Sequence, residues 1–204
     1  MYSTIAILAA LAALERTGAG QYIDMALLDV GVSMLGNMHL NYFTSGKPPG
    51  RWGNAHPNIV PYEVFASSDG HIILAAGNDS QYRKFCDVAA RPDLYTDPRF
   101  SSNDARVRHR EILVPLLQAV IRERSRDDWV ASLEAVGVPC GPINNIAQAF
   151  DDPQVRHLGI AQTVQSAALG KISLIGQPFT LSRTPSALHS AAPEYAEHAE
   201  PILQ

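Results

Sequence analysis

Cysteine is scarce in this chain: Cys86 and Cys140 are the two in 204 residues. They stand far apart, with no partner at zinc-ligand spacing, which excludes a disulfide framework and a cysteine-based metal site. Reduced thiols in a cytoplasmic protein are the expectation. Long apolar runs are missing too. Residues 1–14 are apolar but too short to cross a bilayer, and they lack the basic leader of a signal peptide. No membrane association is expected. A basic stripe is also absent, and the formal net charge of −4 argues against general nucleic-acid binding. Arg106, Arg108 and Arg110 alternate with other residues beside acidic neighbours and read as a solvated helix face. The familiar catalytic signatures are not there: no Gly-x-Gly-x-x-Gly turn, no phosphate loop and no Gly-x-Ser-x-Gly elbow. The seven histidines do not pair at metal-ligand spacing. His71, His109, His157, His189 and His198 stand alone, as surface or satisfied structural residues.

What is present is an ordinary globular composition, 46% hydrophobic and 18% charged, long enough for one large domain or two small ones. Residues 2–16 read as a helix that is apolar all round, with Ile5, Ile7, Leu8, Leu11 and Leu14 on one half and alanines on the other. Burying five such side chains is worth roughly 1.5–3 kcal/mol each. That sum is comparable with the whole net stability of a domain, about 5–15 kcal/mol. The helix therefore needs cover, either from elsewhere in the chain or from polypeptide upstream of Met1. A glycine stop at Gly18 ends it. Alternation over residues 21–26 predicts a short strand, and helical spacing predicts one helix over 28–43. The Thr44 to Gly50 stretch breaks it and is the best linker candidate.

Residues 59–67 and 71–76 predict strands joined through Ser68-Asp69-Gly70. Asp79 is expected to cap a helix reaching Ala90. Helical segments are expected between 103 and 122, with Pro115 in the first turn of the second, and Ser125 caps a helix over 127–136. The 138–143 run carries too much proline for a central strand. Asn144 or Asn145 should cap a short helix, Pro153 should open another, and strands are expected over 160–165 and 171–175. The tail reads as loop with a short closing helix at most.

The stretch that draws attention is residues 50–65. Gly50 and Gly53 permit backbone that a side chain would block. Pro57 and Pro61 push their preceding residues toward extended conformations. The result is a polar loop of little freedom in front of a strand, the kind of place where ligand contacts concentrate. The alternative is a plain Gly/Pro-rich linker. Within the loop, Gly53, Asn54, Ala55 and His56 are the candidate site residues. His56 either touches a ligand or braces the loop. Cys140 sits in a Pro-Cys-Gly-Pro turn with no base evident nearby, so packing fits it better than nucleophilic chemistry.

Several stretches taken in order resemble the family III CoA-transferases, the CaiB/BaiF family. They are Glu15-Arg16-Thr17-Gly18-Ala19-Gly20-Gln21-Tyr22-Ile23-Asp24, Gly53-Asn54-Ala55-His56-Pro57, Asp97-Pro98-Arg99-Phe100, Gly137-Val138-Pro139-Cys140-Gly141-Pro142 and Asp151-Asp152-Pro153-Gln154-Val155. Ala196-Glu197-His198 follows, with alanine in place of the family's glycine. The resemblance implies an α/β fold with an α+β small domain, in a family of interlocked dimers about twice this length. Residues 1–49 would be the last helices of a large Rossmann-like domain, 50–143 the small domain, and 144–204 a segment returning to the large one. It implies an aspartate that attacks an acyl-CoA thioester and passes CoA to a second carboxylic acid through covalent intermediates. Coenzyme A enters as a thioester substrate, with no bound cofactor and no metal. The nucleophile's position falls a few residues upstream of Met1; Asp24 and Asp29 follow the helix and do not match it. The glycine-rich loop that covers the aspartate in many members corresponds here to Gly53-Asn54-Ala55-His56. The isolated chain is accordingly expected to be inactive. It is also expected either to form a homodimer or to pair with a missing N-terminal half. Two rival expectations remain: an α-methylacyl-CoA racemase of the same fold, and a non-catalytic truncated module.

Overall fold

The computed structural model describes residues 1–166, 168–197 and 199–203. His198, part of the near-terminal resemblance, lies outside them. The chain divides into two compact units, Met1–Gly53 and Asn54–Gln204.

The first unit is helical. Helix α1 spans Tyr2–Thr17 and stops as expected at Gly18, whose left-handed φ of 70° lets its N–H reach the Leu14 carbonyl. Helices α2 (Leu27–Ser33) and α3 (Met38–Ser45) follow, and none of the three contains a buried residue. Two expectations fail here. Residues 21–26 form no strand; alternation makes a strand only where a neighbour supplies the ladder, and none is paired to them among the described residues. The 28–43 segment is two helices rather than one, because Gly36 takes a left-handed φ of 59°, which the helical ladder cannot accommodate. The break after α3 is as expected, at Gly46.

The second unit is built on an antiparallel sheet of β1 (Tyr62–Ala66), β2 (His71–Ala75) and β3 (Cys140–Pro142), in that order. The β1–β2 hairpin closes at Ala66 and His71, around the expected Asp-Gly turn. Pairing alternates side chains between the faces, so Phe65, Ile72 and Leu74 enter the core. The proline-rich run 138–143 supplies β3 only as a short edge strand, where proline is tolerated. Against the sheet and one another pack α4 (Asp79–Val88), α5 (Pro92–Thr96), α6 (Asn103–Arg108), α7 (Arg110–Ile121) and α8 (Arg126–Glu134). Their apolar faces complete a core centred on Tyr82, Phe85, Leu113, Leu117, Trp129 and Leu133. Trp129 stacks on Phe85 and donates its indole N–H to the Ile121 carbonyl at 2.8 Å.

The caps follow the sequence with two differences. Ser125 caps α8 by accepting from the Asp128 N–H. Asn145 caps α9 (Ile146–Asp151) in a reciprocal box with Gln148, and Pro153 opens α10 (Pro153–Leu158). The cap of α4, however, is Asn78 and not Asp79, since Asn78 is the extended residue whose side chain reaches the Gln81 N–H. Pro115 lies inside α7, past its first turn, because that helix already begins at Arg110. Strands β4 (Ala161–Ser166) and β5 (Gly170–Ile175) form a separate two-stranded sheet, and α11 (Ala199–Leu203) closes the chain.

The arginine triplet is the largest departure. It is not one solvated face. Arg106 is fully buried, donating to the Val60 carbonyl (2.6 Å), the Phe100 carbonyl (3.2 Å) and the Asp79 carboxylate (2.8 Å), with its guanidinium over the Tyr82 ring. Arg108 is exposed and pairs with Asp104. Arg110 is half-buried. The backbone turns at His109, between α6 and α7, and sends the three side chains different ways.

Candidate functional site

The 53–61 segment leads straight into β1, and its course is set by side chains reaching backbone groups. Gly53 takes a left-handed φ of 60°, the conformation that glycine permits most cheaply. Asn54 turns its carboxamide oxygen to accept from the Val64 N–H at 2.9 Å, which fastens the start of the segment to β1. Ala55 follows, half-buried. The backbone N–H of His56 donates to the Tyr62 carbonyl at 2.9 Å. The His56 ring tilts against the Tyr62 ring with centroids 5.3 Å apart, and its Nδ1 accepts from the Asn58 N–H at 3.1 Å. An Nδ1 that accepts leaves Nε2 as the ring nitrogen able to present a proton. Of the two roles set out for His56, bracing the loop is visible here.

Further ties come from α6 and α7. Asn103 donates to the Asn58 carbonyl at 2.9 Å and accepts from the Val60 N–H at 3.2 Å. Arg110 donates to the His56 carbonyl at 2.6 Å and to the Pro57 carbonyl at 3.2 Å. Glu63 on β1 has its pKa raised by burial, against an opposing attraction from the Arg110 charge. The segment thus sits in a small polar neighbourhood of one histidine, one carboxyl and the Arg110 guanidinium, with Arg106 reaching the Val60 carbonyl from the core. Sequence reasoning proposed the loop and missed Asn103, Arg110 and Glu63. Arg106 and Arg110 stand on different helices, either side of the turn at His109, so no single helical spacing in the sequence sets them apart from Arg108.

The other candidates come to less. The Cys140 thiol is pushed above its ordinary value by burial, and Cys86, fully enclosed, is pushed up to about 11 by the same cause. Neither is an activated nucleophile. Among the described residues no group of three His, Cys, Asp or Glu side chains could hold a metal, and no helix is long and apolar enough to cross a membrane. Within the Met1–Gly53 unit, α1 leaves Ile5 and Leu8 60% exposed and Leu11 50% exposed. A cleft of about 540 Å³ in the same unit is lined mainly by apolar residues, among them Val32, Leu35, Met38, Tyr42 and Phe43. Apolar surface on that scale marks an interaction face rather than a site of polar chemistry.

Comparison with known proteins extends these observations. The family model described as CoA-transferase family III matches residues 1–199. The chain is 40% identical over 203 residues to a succinate–glutarate CoA-transferase of Agrobacterium fabrum, covering 100% of this chain and 51% of that protein. It is 34% identical over 204 residues to a human succinyl-CoA:glutarate CoA-transferase, of which it covers 47%. Among solved structures, a CaiB/BaiF family protein from Brucella suis superposes with a TM-score of 0.80 at 42% identity, over 99% of this chain and 52% of that one. The chain spans about half the length of the curated relatives it matches.

Proposed function

Because this chain belongs to CoA-transferase family III, we propose that it serves the transfer of CoA between an acyl-CoA and a carboxylic acid, as the C-terminal portion of such an enzyme. The observation that carries this reading is the family match over residues 1–199, beside 40% identity over 203 residues to a named CoA-transferase. The names of the similar proteins, with succinate, glutarate and mesaconate as their acids, favour a short dicarboxylic acyl group and favour transfer over racemisation.

In this reading an aspartate carboxylate, expected just upstream of Met1, attacks the thioester carbonyl. The thioester C–S bond breaks, CoA leaves as thiolate and a mixed anhydride forms. The thiolate attacks the aspartyl carbonyl, releasing the donor's acid and leaving an aspartyl-CoA thioester. The acceptor carboxylate attacks that thioester in turn, expelling CoA thiolate and forming a second mixed anhydride; the thiolate then attacks the acceptor's carbonyl, giving the new acyl-CoA and freeing the aspartate carboxylate. A carboxylate nucleophile divides one difficult exchange into easier ones. Each intermediate must be kept from water, and the role proposed for Gly53, Asn54, Ala55 and His56 is to lie beside the reacting acyl group. The division at residues 49/50 and 143/144 belongs to the same proposal: residues 1–49 complete a large domain, 50–143 form the small one and 144–204 return. The exposed faces of α1 and of the cleft would be covered by the remaining half of the protein or by a second subunit.

The test is an assay of the purified chain with succinyl-CoA and glutarate, alone and after co-expression with the N-terminal portion of the Agrobacterium fabrum relative. We expect no turnover from the chain alone and CoA transfer from the assembly. Turnover by the chain alone would overturn the division of labour, and an assembly that transfers nothing would overturn the function.

A further inference from the structure

The Asn54–Pro57 segment is not built like a lid. Four of its neighbouring ties run from side chains to main-chain groups, and those from α6 and α7 cross more than forty residues of sequence. Arg110 stands out among them. Its side chain meets two consecutive carbonyls, His56 and Pro57, so it fixes the direction of both peptide planes together. Both bonds leave one nitrogen, Nη2, whose two N–H groups are fixed in the guanidinium plane, whereas the donors of an ammonium rotate at the end of a flexible stem. The other end of the segment is fastened to β1 through Asn54 and the His56 N–H. With both flanks tied, closing over a ligand would require these bonds to break.

We propose that Arg110 is a positioning residue of the candidate site, holding the 54–57 segment preformed so that substrate does not have to order it. The site role rests on the reading that this segment lies beside the reacting acyl group. Arg110 touches the segment's backbone and is assigned no contact with substrate.

Two measurements test it. The first is amide hydrogen exchange on the 204-residue chain and its Arg110→Ala, Arg110→Lys and Gln118→Ala variants. Gln118 makes a comparable side-chain tie, but to Ala66 on β1. Arg110→Ala should speed exchange over residues 54–60 tenfold or more while the β1–β2 hairpin keeps its protection. Arg110→Lys should recover part of the loss, and Gln118→Ala should leave residues 54–60 as they are. Unchanged protection in Arg110→Ala, or equal loss across loop and hairpin, would overturn the clamp. The second measurement is steady-state kinetics on the assembled transferase. There Arg110→Ala should lower kcat about tenfold with KM for acyl-CoA within twofold, Arg110→Lys again recovering part. An unaltered kcat would overturn the positioning role. Exchange needs no activity, so a failed clamp is distinguishable from a wild-type assembly that transfers no CoA, which would remove the site role together with the transferase reading.

Discussion

Arg106 and Glu63 show what single residues do in the second unit, and neither role follows from residue type. Arg106 satisfies the carbonyls of Val60 and Phe100 from inside the core. Replacing it with methionine keeps the apolar stem and deletes the donors. Each stranded acceptor costs about 1–3 kcal/mol, so Arg106→Met should lower unfolding stability by several kcal/mol, read as a shift in the urea midpoint at unchanged slope. Glu63 titrates in the opposite sense to a salt-bridged carboxylate. Burial raises its folded pKa above the ordinary 4.5, so the folded state holds that proton more tightly than the unfolded one. Its contribution is therefore favourable at low pH and is lost as pH rises from about 4.5 through the raised value. Glu63→Gln should leave the melting temperature unchanged near pH 4 and raise it at pH 7. A gain at pH 4 as large as that at pH 7 would contradict the burial argument. Both roles were illegible in the sequence: a charged residue announces its charge, and only the path of the backbone decides whether that charge points into the core.

Among the elements, those whose hydrophobic period matched their environment were readable in advance. Helix α4 shows this with Tyr82, Phe85 and Cys86 buried on one face, α8 with Trp129 and Leu133, and the hairpin with its alternation. Capping chemistry carried α8, α9 and α10 for the same reason, since the signal and the structure lie within four residues of each other. The failures needed information from farther off. Residues 21–26 have the alternation of a strand and, among the described residues, no partner strand. The 28–43 run has helical spacing, but whether Gly36 would continue the helix or turn left-handed was not written in its neighbours. The candidate loop was legible through its glycines and prolines. Its anchors were not, because Arg110 lies 54 residues beyond His56 in sequence.

At the scale of the whole molecule the two units differ in kind. Asn54–Gln204 holds the buried core, whereas α1, α2 and α3 of Met1–Gly53 contain no buried residue. On the proposed function, the apolar surface of these helices meets further polypeptide. Alone in solution the chain should self-associate through that surface. Light scattering should give a mass that rises with concentration above the 22.1 kDa of the monomer. An Ile5→Gln, Leu8→Gln, Leu11→Gln variant should move it back toward the monomer. A wild-type mass independent of concentration at 22.1 kDa would show that the α1 surface tolerates water unaided.

The placement of the two tryptophans has a practical consequence. Trp129 is enclosed in the core against Phe85, while Trp52 is 39% exposed one residue before Gly53. Emission from the first moves to longer wavelength only when the Asn54–Gln204 unit opens. Emission from the second already reports a wetter setting beside the candidate loop. Fluorescence can therefore separate an event at the loop from unfolding of the core, with no label added.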